Sequence, residues 1–158
     1  MPESNIELVR RLTDSFGELD FKRFRDALAE ADSLDHLIDS TGAFGQLLSE
    51  VIDPEIEVHL HDIHAASMVG HNFRGERGFL EFWRNWLEPW EEYSVEFTRW
   101  EEIGDTVLYA LEIDARGRGS GAEVNDRITQ AWTIHDGKVT RLGMYARRRT
   151  ARADLGHG

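Results

Sequence analysis

Asp136-Gly137 stands between two runs rich in β-branched and aromatic residues, Arg127–His135 and Lys138–Tyr145. A two-residue type I′ turn needs positive φ at both central positions, which Asp tolerates and Gly adopts freely. The last third of the chain therefore reads as antiparallel sheet. Strands are expected near Tyr93–Ile103, Thr106–Arg116, Glu123–His135 and Lys138–Tyr145, with Gly117-Arg-Gly-Ser-Gly121 as the loop between the second and third. That glycine loop lacks the following helix and the Gly-Lys-Ser/Thr ending of a phosphate cradle, so it reads as a hairpin.

The front of the chain has a different period. Asn5 is the expected N-cap of a helix carrying Ile6, Leu8, Val9, Leu12 and Phe16 at helical spacing and ending at Gly17. A second helix starts near Asp20, with Phe21, Phe24 and Leu28 on one face. Between Ala29 and Val51 two short helical segments are expected, with a break at Gly42 and Gly45. After Pro54 the pattern alternates: Ile56, Val58 and Leu60 share one face, and Glu57, His59 and His61 the other. Phe79, Phe82, Trp83, Trp86 and Leu87 then form a helical stripe, closed by Pro89. Arg147–Leu155 is expected to form a final short helix. Helices first and strands last indicate the α+β class, and no repeat or long linker divides residues 1–158.

A length of 158 residues with 41% apolar content suits one domain with one core. Without cysteine, neither disulfides nor sulfur-ligated metal sites can form. A net charge of −12 argues against general binding to nucleic acid or anionic membranes, although Arg147, Arg148, Arg149 and Arg152 cluster near the end, as a solvated helix face or a basic arm. The first residues lack the basic and apolar regions of a signal peptide, and no apolar run reaches membrane-span length, so a cytoplasmic location is expected.

Asn5-Ile-Glu-Leu-Val-Arg-Arg, Asp53-Pro-Glu-Ile-Glu-Val-His, Phe73-Arg-Gly-Glu-Arg-Gly-Phe-Leu-Glu-Phe-Trp and Trp132-Thr-Ile-His-Asp-Gly-Lys-Val, with the closing Tyr145, together resemble the SnoaL-like (polyketide-cyclase-like) branch of the nuclear-transport-factor-2-like superfamily. The resemblance runs from about Asn5 to Leu155, with an apparent helical insertion around residues 29–49. It implies a cone-shaped α+β barrel in which a curved, mixed or antiparallel sheet wraps around N-terminal helices. It also implies a homodimer through the outer face of the sheet, and no cofactor.

Fold does not decide activity, because such barrels serve isomerases, cyclases, epoxide hydrolases and dehydratases alike. The resemblance places Val58, Gln130 and Met144 at positions where relatives carry acidic catalytic groups. Val and Met cannot accept a proton, and Gln orients a carbonyl or hydroxyl without titrating. Val58, Phe82, Trp86, Tyr109, Gln130, Trp132 and Met144 are the candidate cavity residues. The leading expectation is binding of a small apolar or carbonyl-containing molecule. Two alternatives stand beside it. One is a lyase, isomerase or cyclase using His64 with Asp62 as an acid/base pair, in which the carboxylate would fix the imidazole tautomer. The other is a non-catalytic dimerisation domain. His59 and His61 have metal-ligand spacing on a strand, but that face lies opposite Val58, and no metal is assigned.

Overall fold

The computed structural model describes residues 3–61 and 72–156. In chain order the described residues form α1 (Asn5–Gly17), α2 (Phe21–Glu30), α3 (Leu34–Thr41), α4 (Ala43–Val51), β1 (Ile52–His61), β2 (Asn72–Arg74), α5 (Gly75–Leu87), β3 (Trp90–Ile103), β4 (Thr106–Gly117), β5 (Glu123–His135), β6 (Lys138–Tyr145) and α6 (Arg148–Gly156). The α+β order and the closing meander are those expected. The Asp136-Gly137 turn has φ of 53° and 77°, as its type requires.

Local chemistry corrects two helix details. The N-cap of α1 is Ser4, not Asn5, because a capping box needs a carboxylate three residues on. Ser4 has Glu7 there, and Glu7 N–H donates to Ser4 Oγ while the Glu7 carboxylate accepts from Ser4 N–H, both at 3.3 Å. Asn5 instead sends its side-chain amide to the Asp105 carbonyl. Further on, Gly42 (φ 58°) alone makes the break between α3 and α4. Gly45 lies inside α4, where a Cβ would stand 2.8 Å from both Ile38 N and Leu37 C. Its role is close helix approach rather than a turn.

The sheet order is β2-β1-β6-β5-β4-β3, with β1 parallel to β6 and the other pairs antiparallel. It ends in two edges, β2 and β3, and does not close into a barrel. Register shifts bend it between Thr98 and Glu101 on β3, where Arg99 has φ 56°, and between Thr133 and Ile134 on β5. Ile56, Val58, Tyr109, Leu111, Gln130, Trp132, Leu142 and Met144 are buried on the inner face under α1–α5. Burial on this scale dominates the stability of a domain this size. The 29–49 region supplies α3 and α4, and Phe44, Leu47, Leu48 and Val51 join this core. Its start is tied to α5, since Glu76 Oε1 accepts from Leu34 N–H at 2.6 Å.

The outer face is covered in its middle by α6, whose Ala151 packs on Leu108, Ala131 and Tyr145. Arg148 and Arg152 of α6 reach Glu101 of β3 at 2.9 and 2.7 Å, and Asp154 accepts from the Tyr145 hydroxyl at 2.6 Å. Two of the clustered arginines are thus spent on the protein's own sheet. Beyond α6 the outer face carries the ion pairs Arg116–Glu92 and Arg127–Glu112. A second copy docking there would meet α6 and charged side chains rather than bare apolar strand.

Hydrogen bonds from Arg152, ahead of those from Arg148, hold the Glu101 carboxyl below its usual range. A lowered folded-state pKa contributes stability that is present above the unfolded value of about 4.3 and is lost as pH falls through the folded value. Glu101→Gln is therefore expected to cost about 1 kcal/mol in urea unfolding at neutral pH, with the difference from wild type vanishing in acid below that window. Gly45→Ala is expected to cost roughly 1–3 kcal/mol in the same assay, because both backbone contacts would have to give.

Candidate functional site

Alternation along β5 turns Gln130 and Trp132 to the inner face, and β4 brings Tyr109 directly beside Gln130. The three join in a chain of hydrogen bonds. Trp132 Nε1–H donates to the Tyr109 hydroxyl at 2.9 Å, Tyr109 donates to Gln130 Oε1, and Gln130 Nε2 donates to Met144 Sδ at 3.3 Å. Gln130 is 2% exposed, so each of these bonds offsets a desolvation cost that an unpartnered amide would carry in full. A thioether sulfur is a weak acceptor, and one Gln130 N–H is left over after it. Trp100 covers the other side of the Tyr109 ring, 4.7 Å between centroids, and Arg10 lies over Trp100 at 4.4 Å.

In front of Gln130 and Trp132 lies a cavity of about 40 Å³. Leu12, Thr13 and Phe16 wall it from α1, Phe44 and Leu48 from α4, and Phe79 and Trp83 from α5. Tyr93, Val95 and Leu111 complete the wall from β3 and β4. The lining is mostly apolar. Thr13 Oγ1 donates to the Arg10 carbonyl, and the Tyr93 hydroxyl accepts from Trp86 Nε1 at 3.0 Å. Burial pushes the Tyr93 and Tyr109 hydroxyls well above the ordinary phenol range. Among the described residues of this lining none ionises near neutral pH, so they can orient an oxygen but supply no general base.

Of the seven candidate cavity residues, Gln130 and Trp132 line this space and Tyr109 is hydrogen-bonded to both. Val58, Phe82, Trp86 and Met144 are buried in the surrounding core instead. On α5 the face towards the cavity is Phe79 and Trp83, one turn apart, while Phe82 and Trp86 lie on a neighbouring stripe. Phe82 packs on Phe73 of β2, and Trp86 reaches Tyr93. Tyr93, Phe16, Phe44 and Leu48 were not singled out for the site. Alternation with Val95 could have flagged Tyr93, and the i, i+4 spacing could have flagged Phe44 with Leu48.

Asp62, His64 and His71 lie outside the described residues. His59 and His61 sit on the outer face of β1. His59 pairs through Nδ1 with Asn72 Oδ1 at 2.7 Å, and its Nε2 lies 3.4 Å from Glu57. His61 stacks flat on Tyr145, 4.6 Å between centroids. Among the described residues no group of three or more His, Asp or Glu is arranged to hold a metal ion.

This cone of helices on a bent mixed sheet is the fold of the SnoaL-like proteins. The SnoaL-like domain model matches residues 21–142, and the chain belongs to that family. Similar solved structures include TerC co-crystallised with polyporic acid (19% identity, 98% of each chain covered, TM-score 0.62). A SnoaL-like polyketide cyclase from Jannaschia sp. CCS1 (16% identity, 100% and 99% covered, TM-score 0.64) and an NTF2-like protein of unknown function from Burkholderia pseudomallei (12% identity, 98% of each covered, TM-score 0.64) share the fold as well. No curated protein matches the sequence.

Tyr109→Phe would strand Gln130 Oε1 and the Trp132 N–H without partners. It is expected to lower unfolding free energy by roughly 1–3 kcal/mol, whereas Met144→Leu, which keeps volume and loses a weak acceptor, should cost less than about 1.5 kcal/mol. Denaturant titrations of the two variants would check the order.

Proposed function

We propose that this chain binds a small, largely apolar molecule bearing one hydrogen-bonding oxygen, held in the interior against Gln130 and Trp132. The observation that carries the reading is a buried amide with an uncommitted N–H at the wall of an otherwise apolar cavity. Apolar surface supplies affinity in such a site, and one or two placed polar groups supply orientation. TerC, which shares the fold, was co-crystallised with polyporic acid, and that supports a small molecule as the class of occupant.

Size narrows the reading. Pockets for drug-sized ligands measure roughly 300–1,000 Å³. At about 40 Å³ the interior holds a few water-sized spheres, so a ligand enters by displacing rings. Phe16 and Trp83 are half-buried, unlike the other rings of the lining, and are the rings whose displacement disturbs the core least.

Cyclohexanone is a suitable probe, being compact and apolar with one carbonyl. Titration followed by protein NMR is expected to shift resonances of Gln130, Trp132 and Trp83. Gln130→Leu is expected to weaken the affinity about fivefold to tenfold, the worth of one hydrogen bond of about 1 kcal/mol. Affinity should stay flat between about pH 5 and pH 9, because burial pushes Tyr93 of the lining and Tyr109 beside it upward, and no other described residue of the lining titrates in that range. Shifts confined to the surface, or a Gln130→Leu protein that binds as well as wild type, would sink the proposal.

A further inference from the structure

A second apolar space adjoins the first. Between the turn joining α1 to α2 and the inner side of β3 lies a pocket of about 210 Å³, walled chiefly by Phe16, Leu19, Phe21, Phe24, Tyr93 and Val95. Phe16, Tyr93 and Val95 line both this pocket and the interior cavity. Tyr93 is fixed by its bond from Trp86, and Val95 by pairing of β3 with Ile113 of β4. Phe16 is the one shared residue that sits at a helix end, with its ring packed only against apolar side chains.

We propose that ligand reaches the interior through this antechamber, and that the Phe16 ring is the valve between the two spaces. The ring has aromatic neighbours on both sides. Phe44 and Trp83, which line the cavity, lie 5.9 and 6.3 Å from it, and Phe24, which lines the antechamber, lies 5.8 Å away. A rotation about χ1 would shift the balance between the two sets of ring contacts while the ring stayed in apolar surroundings. The backbone there also has room. Phe16 is the penultimate residue of α1, whose end closes through two three-residue hydrogen bonds, Glu18 N–H to Ser15 O at 3.2 Å and Leu19 N–H to Phe16 O at 3.1 Å. A Cβ on Gly17 would meet nothing within 4 Å. Of the lining residues, Phe16, Trp83 and Val95 are only half-buried, and two of these three border the antechamber. The wall towards solvent is therefore thinnest on this side.

The valve rests on the interior-binding reading, and xenon separates the two. Xenon enters dry apolar cavities and needs no hydrogen bond from Gln130. Its exchange with the full chain, measured by saturation-transfer NMR, is expected to quicken at least tenfold in Phe16→Ala and by less in Phe16→Leu, the variant that keeps most of the packing. Leu48→Ala removes volume from a part of the lining that does not touch the antechamber. It is expected to change xenon affinity while leaving the entry rate within about twofold of wild type. Cyclohexanone entry, followed by stopped-flow tryptophan fluorescence, should repeat the order. If xenon exchange responds to Phe16 but cyclohexanone does not bind, the proposed function fails and the valve stands. Equal xenon entry rates in folded wild type, Phe16→Leu and Phe16→Ala would overturn the valve, as would faster entry in Leu48→Ala than in Phe16→Ala. Xenon absent from the interior of every variant overturns it as well.

Discussion

At the centre of the β4–β5–β6 meander, Leu108, Ala131 and Tyr145 are buried under α6 while Tyr109, Gln130 and Met144 are buried under the helices on the opposite face. A sheet covered on both sides cannot slip by one residue, since a slip would exchange the two sets of side chains. Every other element takes its place from this. β1 joins β6 in parallel, β3 extends from β4, and α5 packs across β1. The site exists because the same fixed register turns Gln130 and Trp132 inward.

The polar chain through Trp132, Tyr109 and Gln130 has consequences for both stability and function. Buried polar groups are tolerable only when satisfied, and here nearly all the satisfaction is internal. A ligand that displaced the Tyr109 bond would have to replace it in kind. One that takes only the spare Gln130 N–H leaves the chain intact, and that favours ligands with a single acceptor oxygen. The bond to Met144 is the weak link, because sulfur accepts poorly.

Much of the fold was legible in the sequence where local chemistry and burial agree. The Asp136-Gly137 turn, the start of the second helix near Asp20 and the alternation of Ile56, Val58 and Leu60 each have a short-range cause, and each reappears in the structure. Period two put Gln130 and Trp132 on one face of their strand, and the resemblance to SnoaL-like proteins made that face the inner one. Less could be read on α5, whose apolar residues exceed one stripe. Phe79 and Trp83 face the cavity while Phe82 and Trp86 face the core, and nothing within the helix sequence distinguishes them. Gly45 misled for a related reason: a glycine that allows two helices to touch has the same local signature as one that ends a helix.

What the sequence determined by itself is the element order and the α+β class, because period and turn chemistry are local properties. The tertiary structure alone decided that Tyr109 completes the Gln130 bond, that α4 and Phe16 close the cavity, and that α6 occupies the outer face. Those outcomes depend on which surfaces compete for the same apolar area. That competition is settled by the simultaneous packing of segments up to a hundred residues apart, as Asn5 and Asp105 are.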